Sequence, residues 1–158
     1  MPICHYALLA TIKALGWIHP CFEIILLLTH RLCIKYRPFW QLSEASTLWF
    51  ISKHTFIPVP KVYCAFVHKD LTYILMDRIE GDMLAHVWLS CSAGSKAKIL
   101  AQLKHMMDEL RSLSPPSIQI SNVDGGPLYN PQFPGTSLKI GPFKTIHDFH
   151  YITICKPI

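Results

Sequence analysis

Read from the N-terminus, the chain sets apolar runs between short polar breaks, and their spacing predicts an ordered series of elements. Residues 31–36, RLCIKY, make a short strand-like run that Pro38 interrupts. Ser43 is placed to cap the next segment, in which Glu44, Thr47, Leu48 and Ile51 recur at helical spacing as far as Lys53. That spacing sets the Glu44 carboxylate on the same inward face as the apolar stripe. Pro58 and Pro60 end the helix, because neither supplies a backbone donor and each pushes its predecessor out of the α region. Two β-favouring runs follow, 61–67 and 71–79, joined by His68-Lys69-Asp70 as an antiparallel hairpin. From Leu71 to Met76 the second run is apolar on both faces, the pattern of a central strand covered on each side.

Gly81 closes the strand region, Asp82 is placed to cap a short helix through Trp88, and Ser95 is the next N-cap candidate after the SCSAGS loop. Ile99, Leu100, Leu103, Met106, Met107, Leu110 and Leu113 then form the clearest helical stripe in the chain, ended by Pro115-Pro116. Its two methionines read as core filler. Beyond Pro116 the chain is dense in Gly, Pro, Asn and Ser, which predicts loops around one or two short strands, and FKTIHDFHYI begins another helix.

The apolar stretch before residue 31 is tested first as a membrane segment. Lys13, His19, Pro20 and Glu23 break it, so no uncharged run reaches the roughly 18–20 residues that span a bilayer. Nor does LLLTHRLC supply a clean cleavage site for a secretory signal. The stretch reads as buried or irregular core, with weak membrane association as the alternative.

With 158 residues and 51% hydrophobic content, the chain is long enough for a sizeable core. The net charge of +5 divides into +3 before Glu44, +1 from there to Ser112 and +1 beyond, so there is no dense basic stripe and nucleic acid is not an expected partner. Six cysteines, at 4, 21, 33, 64, 91 and 155, lack close pairs and zinc-type histidine spacing. They read as scattered thiols in a reducing compartment, and so as a cytoplasmic protein.

One strand lysine, Lys35, precedes one helix glutamate, Glu44, by nine residues. Burying either charge alone is expensive, whereas together they satisfy one another and leave lysine donors for an anionic ligand. Kinase folds place nucleotide phosphates with such a pair. The order of elements around it resembles the aminoglycoside phosphotransferase family, in particular its fungal kinase-like branch. The segments that carry the resemblance are IKYR, SEASTLWFISKHTFIPVPKVYCAF, TYILMDRIEGDML, ILAQLKHMMDELRSLSPP, VDGGPLYN and GPFKTIHDFH, spanning about residues 32–150.

The resemblance implies an α+β fold: a protein-kinase-like small lobe of antiparallel sheet and one helix over 31–80, with its hinge, and the first helices of a helical lobe over 81–158. Residues 1–30 stand apart as an apolar segment with no assigned structure. Lys35 looks like the lysine that contacts nucleotide phosphates and Glu44 like its orienting partner. Met76 would stand at the back of the adenine pocket, Asp77 and Ile79 would offer backbone groups to the adenine edge, and Gly81 would turn the chain into the second lobe. ATP and magnesium are the cofactors the family implies, and a small-molecule hydroxyl its acceptor.

Phosphoryl transfer also needs a carboxylate to position the attacking hydroxyl, and oxygen ligands for magnesium. No catalytic loop of H-x-D type with Asn five residues after the Asp is recognisable. His68-Lys69-Asp70 falls in a tight turn, with Leu75 where the Asn belongs. His147 and His150 share a helix face but lack further ligands, and Asp148 is unconvincing as a base. A glycine-rich phosphate loop before Lys35 is also missing, since residues 1–30 contain only Gly16. The expectation is therefore an incomplete copy, cut off after the helices of its second lobe begin, with no phosphate transfer of its own. The rival expectation is a non-catalytic interaction protein whose apolar face, meant for a missing lobe, docks on another chain.

Overall fold

The computed structural model describes Ala10 and residues 21–22, 25–38, 42–115, 117–129 and 139–155. Gly16 and most of the apolar opening stretch lie outside the described residues. The chain divides into two compact units, Met1–Leu110 and Arg111–Ile158.

The first unit is built on five strands: β1 (Cys21–Phe22), β2 (Ile25–Leu27), β3 (Leu32–Pro38), β4 (Val62–His68) and β5 (Leu71–Asp77). They form one antiparallel sheet in the order β1-β2-β3-β5-β4. Helix α1 (Ser43–His54) is inserted between β3 and β4. The α+β class is the one expected, but β1 and β2 arise in the stretch to which no structure was assigned. Strand β2 pairs Ile25, Leu26 and Leu27 with Lys35, Ile34 and Cys33.

Strand β3 runs two residues past RLCIKY and stops on Pro38, a terminal position that tolerates the missing N–H. Helix α1 does not use Ser43 as its cap. The chain is already helical at Leu42, so Ser43 lies inside the first turn, and its carbonyl accepts the Thr47 hydroxyl at 2.7 Å. The other end closes on Ile51, whose carbonyl accepts both the Thr55 N–H at 3.0 Å and the Thr55 hydroxyl at 2.8 Å.

The expected hairpin is present. Lys69 and Asp70 form its two-residue turn with φ of 47° and 61°, the positive values a type I′ turn requires. Strand β5 ends at Asp77 rather than at Ile79. Its neighbours β3 and β4 leave it central, and it buries Thr72, Tyr73, Ile74 and Met76. Alternation divides these between two faces. Leu26, Ile34, Phe66 and Tyr73 make one cluster, and Cys33, Ala45, Ile74 and Met76 make the other, on which α1 packs through Ala45 and Leu48.

Past β5, Gly81 sits at φ 128°, a conformation that favours glycine over any residue with a Cβ. Helix α2 (Leu84–Val87) runs into a single 3-10 turn, Trp88–Ser90. Its N-cap is Met83, in an extended conformation with no side-chain bond, and not Asp82. Helix α3 (Ala93–Ser112) is capped by Ser92 instead of Ser95: the Ser92 Oγ accepts the Ser95 N–H at 3.1 Å. The stripe expected to be core is not buried. Leu100, Leu103 and Met107 are 56%, 47% and 46% exposed, and no residue of α3 is fully buried. Periodicity reports which positions share a face, and burial depends on what covers it.

The second unit has the short strands expected after Pro116, β6 (Leu128–Tyr129) and β7 (Lys139–Ile140), paired antiparallel, and an Ile120–Phe143 bridge. Asn122 organises the loop before β6, its Oδ1 accepting the N–H groups of Asp124 and Gly126 at 3.0 and 2.7 Å. Helix α4 (Ile146–Cys155) opens on reciprocal bonds: Thr145 N–H to Asp148 Oδ2 and Asp148 N–H to Thr145 Oγ1, both 3.2 Å. Phe143 is buried edge-to-face against Phe149 at 5.5 Å.

The left-handed region that the hairpin turn demands disfavours Lys69, while Asp70 tolerates it better but less well than glycine. Replacing the pair by Asn-Gly should raise stability by about 0.5–1 kcal/mol, read as a higher urea midpoint at unchanged slope.

Candidate functional site

Period-two alternation along β3 points Cys33 and Lys35 to the face that α1 covers, and Ile34 to the other. In register, Lys35 lies between Ile25 of β2 and Ile74 of β5, so its stem crosses an apolar surface and its ammonium needs a partner. Glu44, in the first turn of α1, supplies it. Lys35 Nζ and Glu44 Oε1 are 2.5 Å apart, with side chains 21% and 29% exposed. The two charges are therefore half withdrawn from water, where their attraction is screened less than on an open surface but is offset by the cost of desolvating both groups.

Met76 is buried on the same face, in the cluster with Cys33, Ala45 and Ile74. Asp77, the last residue of β5, is held from both neighbouring strands. Its N–H donates to Lys61 O at 3.0 Å, and its carbonyl accepts the Cys33 thiol at 3.6 Å. Its carboxylate accepts the Tyr63 hydroxyl at 2.8 Å and the Lys61 N–H at 3.2 Å. Arg78 N–H donates to Arg31 O at 2.8 Å. Ile79, one residue on, is 70% exposed and makes no hydrogen bond among the described residues. The structure thus brings Lys35 and Glu44 into contact, buries Met76 on the same face of the sheet, fixes Asp77 and leaves Ile79 open.

Tyr63 and Lys61 had no part in the sequence reading. Register explains why. Val62 pairs with Met76 and Cys64 with Leu75, so Tyr63 is an extra residue in a β-bulge, and simple alternation misplaces it. The ammonium of Lys61 lies over the Tyr63 ring, 5.1 Å from its centroid. Two shifted groups flank this end of the sheet. The hydrogen bond to Asp77 raises the Tyr63 phenol above its ordinary value, with smaller contributions from burial and from the Asp77 charge. Burial raises the Cys33 thiol, against a lowering by Arg78 and with a further rise from Asp77.

His68-Lys69-Asp70 is a hairpin turn, as its sequence implied, and Lys69 and Asp70 are exposed there. The Asp148 carboxylate is taken up in capping α4, and His147 and His150 are exposed on that helix. Among the described residues no group of three or more His, Cys, Asp or Glu could hold a metal ion. Cys33, Cys64 and Cys91 are not joined in disulfides. No helix among the described residues is long and apolar enough to cross a membrane.

Comparison of the chain with protein-family profiles, with curated proteins and with solved structures finds no match.

A double-mutant cycle on Lys35→Met and Glu44→Gln should return a coupling of about 1 kcal/mol, at the upper end of exposed pairs because both side chains are mostly covered. Coupling indistinguishable from zero in urea unfolding would mean that the contact contributes nothing to the fold. For Tyr63, the bond to Asp77 favours the protonated phenol, so its stabilising contribution holds below the ordinary tyrosine value of 10.0 and is lost as pH rises through the raised folded value. Phenolate absorbance, taken as the difference between the parent chain and Tyr63→Phe, should show this titration moving down in Asp77→Asn.

Proposed function

We propose that the first unit is a kinase-like small lobe that holds an adenine nucleotide, and that these 158 residues do not transfer its phosphate. The observation that carries the reading is the half-buried contact of Lys35 with Glu44 at 2.5 Å, a strand lysine aimed by a helix glutamate. Support comes from its setting: a five-stranded antiparallel sheet, one helix inserted before the last hairpin, and a central strand that runs into an open backbone segment at Ile79. That is the element order of the aminoglycoside phosphotransferase resemblance, and the fungal kinase-like branch is the family proposed.

In this reading Lys35 contacts the α- and β-phosphates, and Glu44 keeps its ammonium pointed at them. Met76 backs the adenine, the Asp77 carbonyl accepts from the exocyclic amine, and the Ile79 N–H donates to the ring. Magnesium bound to the phosphates would supply charge neutralisation, but the described residues offer no ligand cluster for it. No H-x-D loop with a following Asn occurs in the sequence, so no group is in place to orient an attacking hydroxyl.

The exposed stripe of α3 favours a second reading, a non-catalytic interaction protein. Leu100, Leu103 and Met107 form an apolar row of the kind that marks protein contacts. The two readings are compatible, since a nucleotide-holding lobe can serve a partner.

Fluorescence titration with a mant-labelled ATP tests the nucleotide reading. The parent chain should bind saturably, and Lys35→Met should weaken binding about tenfold, the loss of one charge-assisted phosphate contact. Radiolabelled ATP should give no transfer to a panel of aminoglycosides and other small-molecule hydroxyls. Transfer that disappears in Lys35→Met would overturn the non-catalytic half of the proposal, and absence of binding the nucleotide half.

A further inference from the structure

An adenine edge is read by backbone groups, so its recognition depends on how firmly the strand end that carries them is held. Asp77 is the last residue of β5 before the open segment, and its side chain reaches across to β4. One carboxylate oxygen accepts the Tyr63 hydroxyl at 2.8 Å, and the other accepts the Lys61 N–H at 3.2 Å. Tyr63 can reach it because of the bulge between Val62 and Cys64, the one break in an otherwise regular β4–β5 register. Bulges of this kind re-aim a side chain next to a working site. The Lys61 ammonium over the ring steadies the phenol from its other side. Asp77 is therefore tied to Lys61, just before β4, by its backbone N–H and one carboxylate oxygen, to Tyr63 of β4 by the other, and to β3 by its carbonyl. Ile79, two residues on, has no such ties.

We infer that Tyr63 and Asp77 are positioning residues, a side-chain clamp that sets the backbone reading the adenine while leaving the phosphates to Lys35. The inference rests on the nucleotide reading above and deepens it by dividing the ligand in two. The clamp governs the nucleoside part, and the ion pair governs the anionic part. It also assigns the bulge a purpose, since straight pairing would turn Tyr63 away from the strand end.

Calorimetric titration with adenosine and, separately, with tripolyphosphate tests this division on the full chain. Tyr63→Phe and Asp77→Asn should each weaken adenosine binding about fivefold, equivalent to one lost hydrogen bond, and leave tripolyphosphate binding unchanged. Lys35→Met should do the reverse. Tyr63 is half-exposed, so the phenylalanine variant retains its fold, checked by circular dichroism, and a purely structural loss would lower both affinities together. Equal adenosine affinity in the parent chain and Tyr63→Phe, or a parallel loss of both ligands, overturns the clamp and leaves the nucleotide reading standing. A parent chain that binds neither ligand removes both.

Discussion

A strand that buries side chains on both faces commits the chain to covering a sheet twice. Strand β5 does this with Tyr73 on one side and Ile74 and Met76 on the other, and both of its hydrogen-bonding edges are filled by β3 and β4. The helix between β3 and β4 follows from that demand, because Ala45 and Leu48 supply the cover that Cys33, Ile74 and Met76 require. Once α1 is on the sheet, a charge projecting from the same face of β3 must be answered from the helix. The Lys35–Glu44 contact is in this sense a consequence of the layering, placed where apolar packing already fixes both backbones.

How much of this was legible in the sequence varies with the kind of signal. Residues 31–79 could be read because each element there is marked by its own local chemistry: prolines that end α1, a polar turn between β-favouring runs, and an apolar run too continuous for a half-exposed strand. Helical spacing set the Glu44 carboxylate inward, and its pairing with Lys35 was expected from the order of elements around the two residues. Caps were less legible. Leu42, Met83 and Ser92 were each passed over for a neighbour, because the sequence shows several candidate hydroxyls and carboxylates within one turn and only the backbone path decides among them.

Two features escaped for deeper reasons. Strands β1 and β2 are two and three residues long, too short to show a period, and their register is set by β3 and not by any pattern of their own. The exposure of α3 escaped because an apolar stripe states a preference for burial without naming a partner. The helix is nonetheless well anchored at one point, where Glu109 accepts the Phe56 N–H at 2.6 Å and ties it to the linker after α1.

The bulge at Tyr63 also bears on how the chain aligns with others. In a sheet of the same topology with straight β4–β5 pairing, the strand would be one residue shorter, and an ungapped alignment would carry Tyr63 onto an inward position. Val62, the one β4 residue upstream of it, would then appear on the wrong face. A single-position gap at 63, flanked by matching Val62 and Cys64, is the trace such a comparison should leave, and a short segment alignment that forbids gaps would lose it.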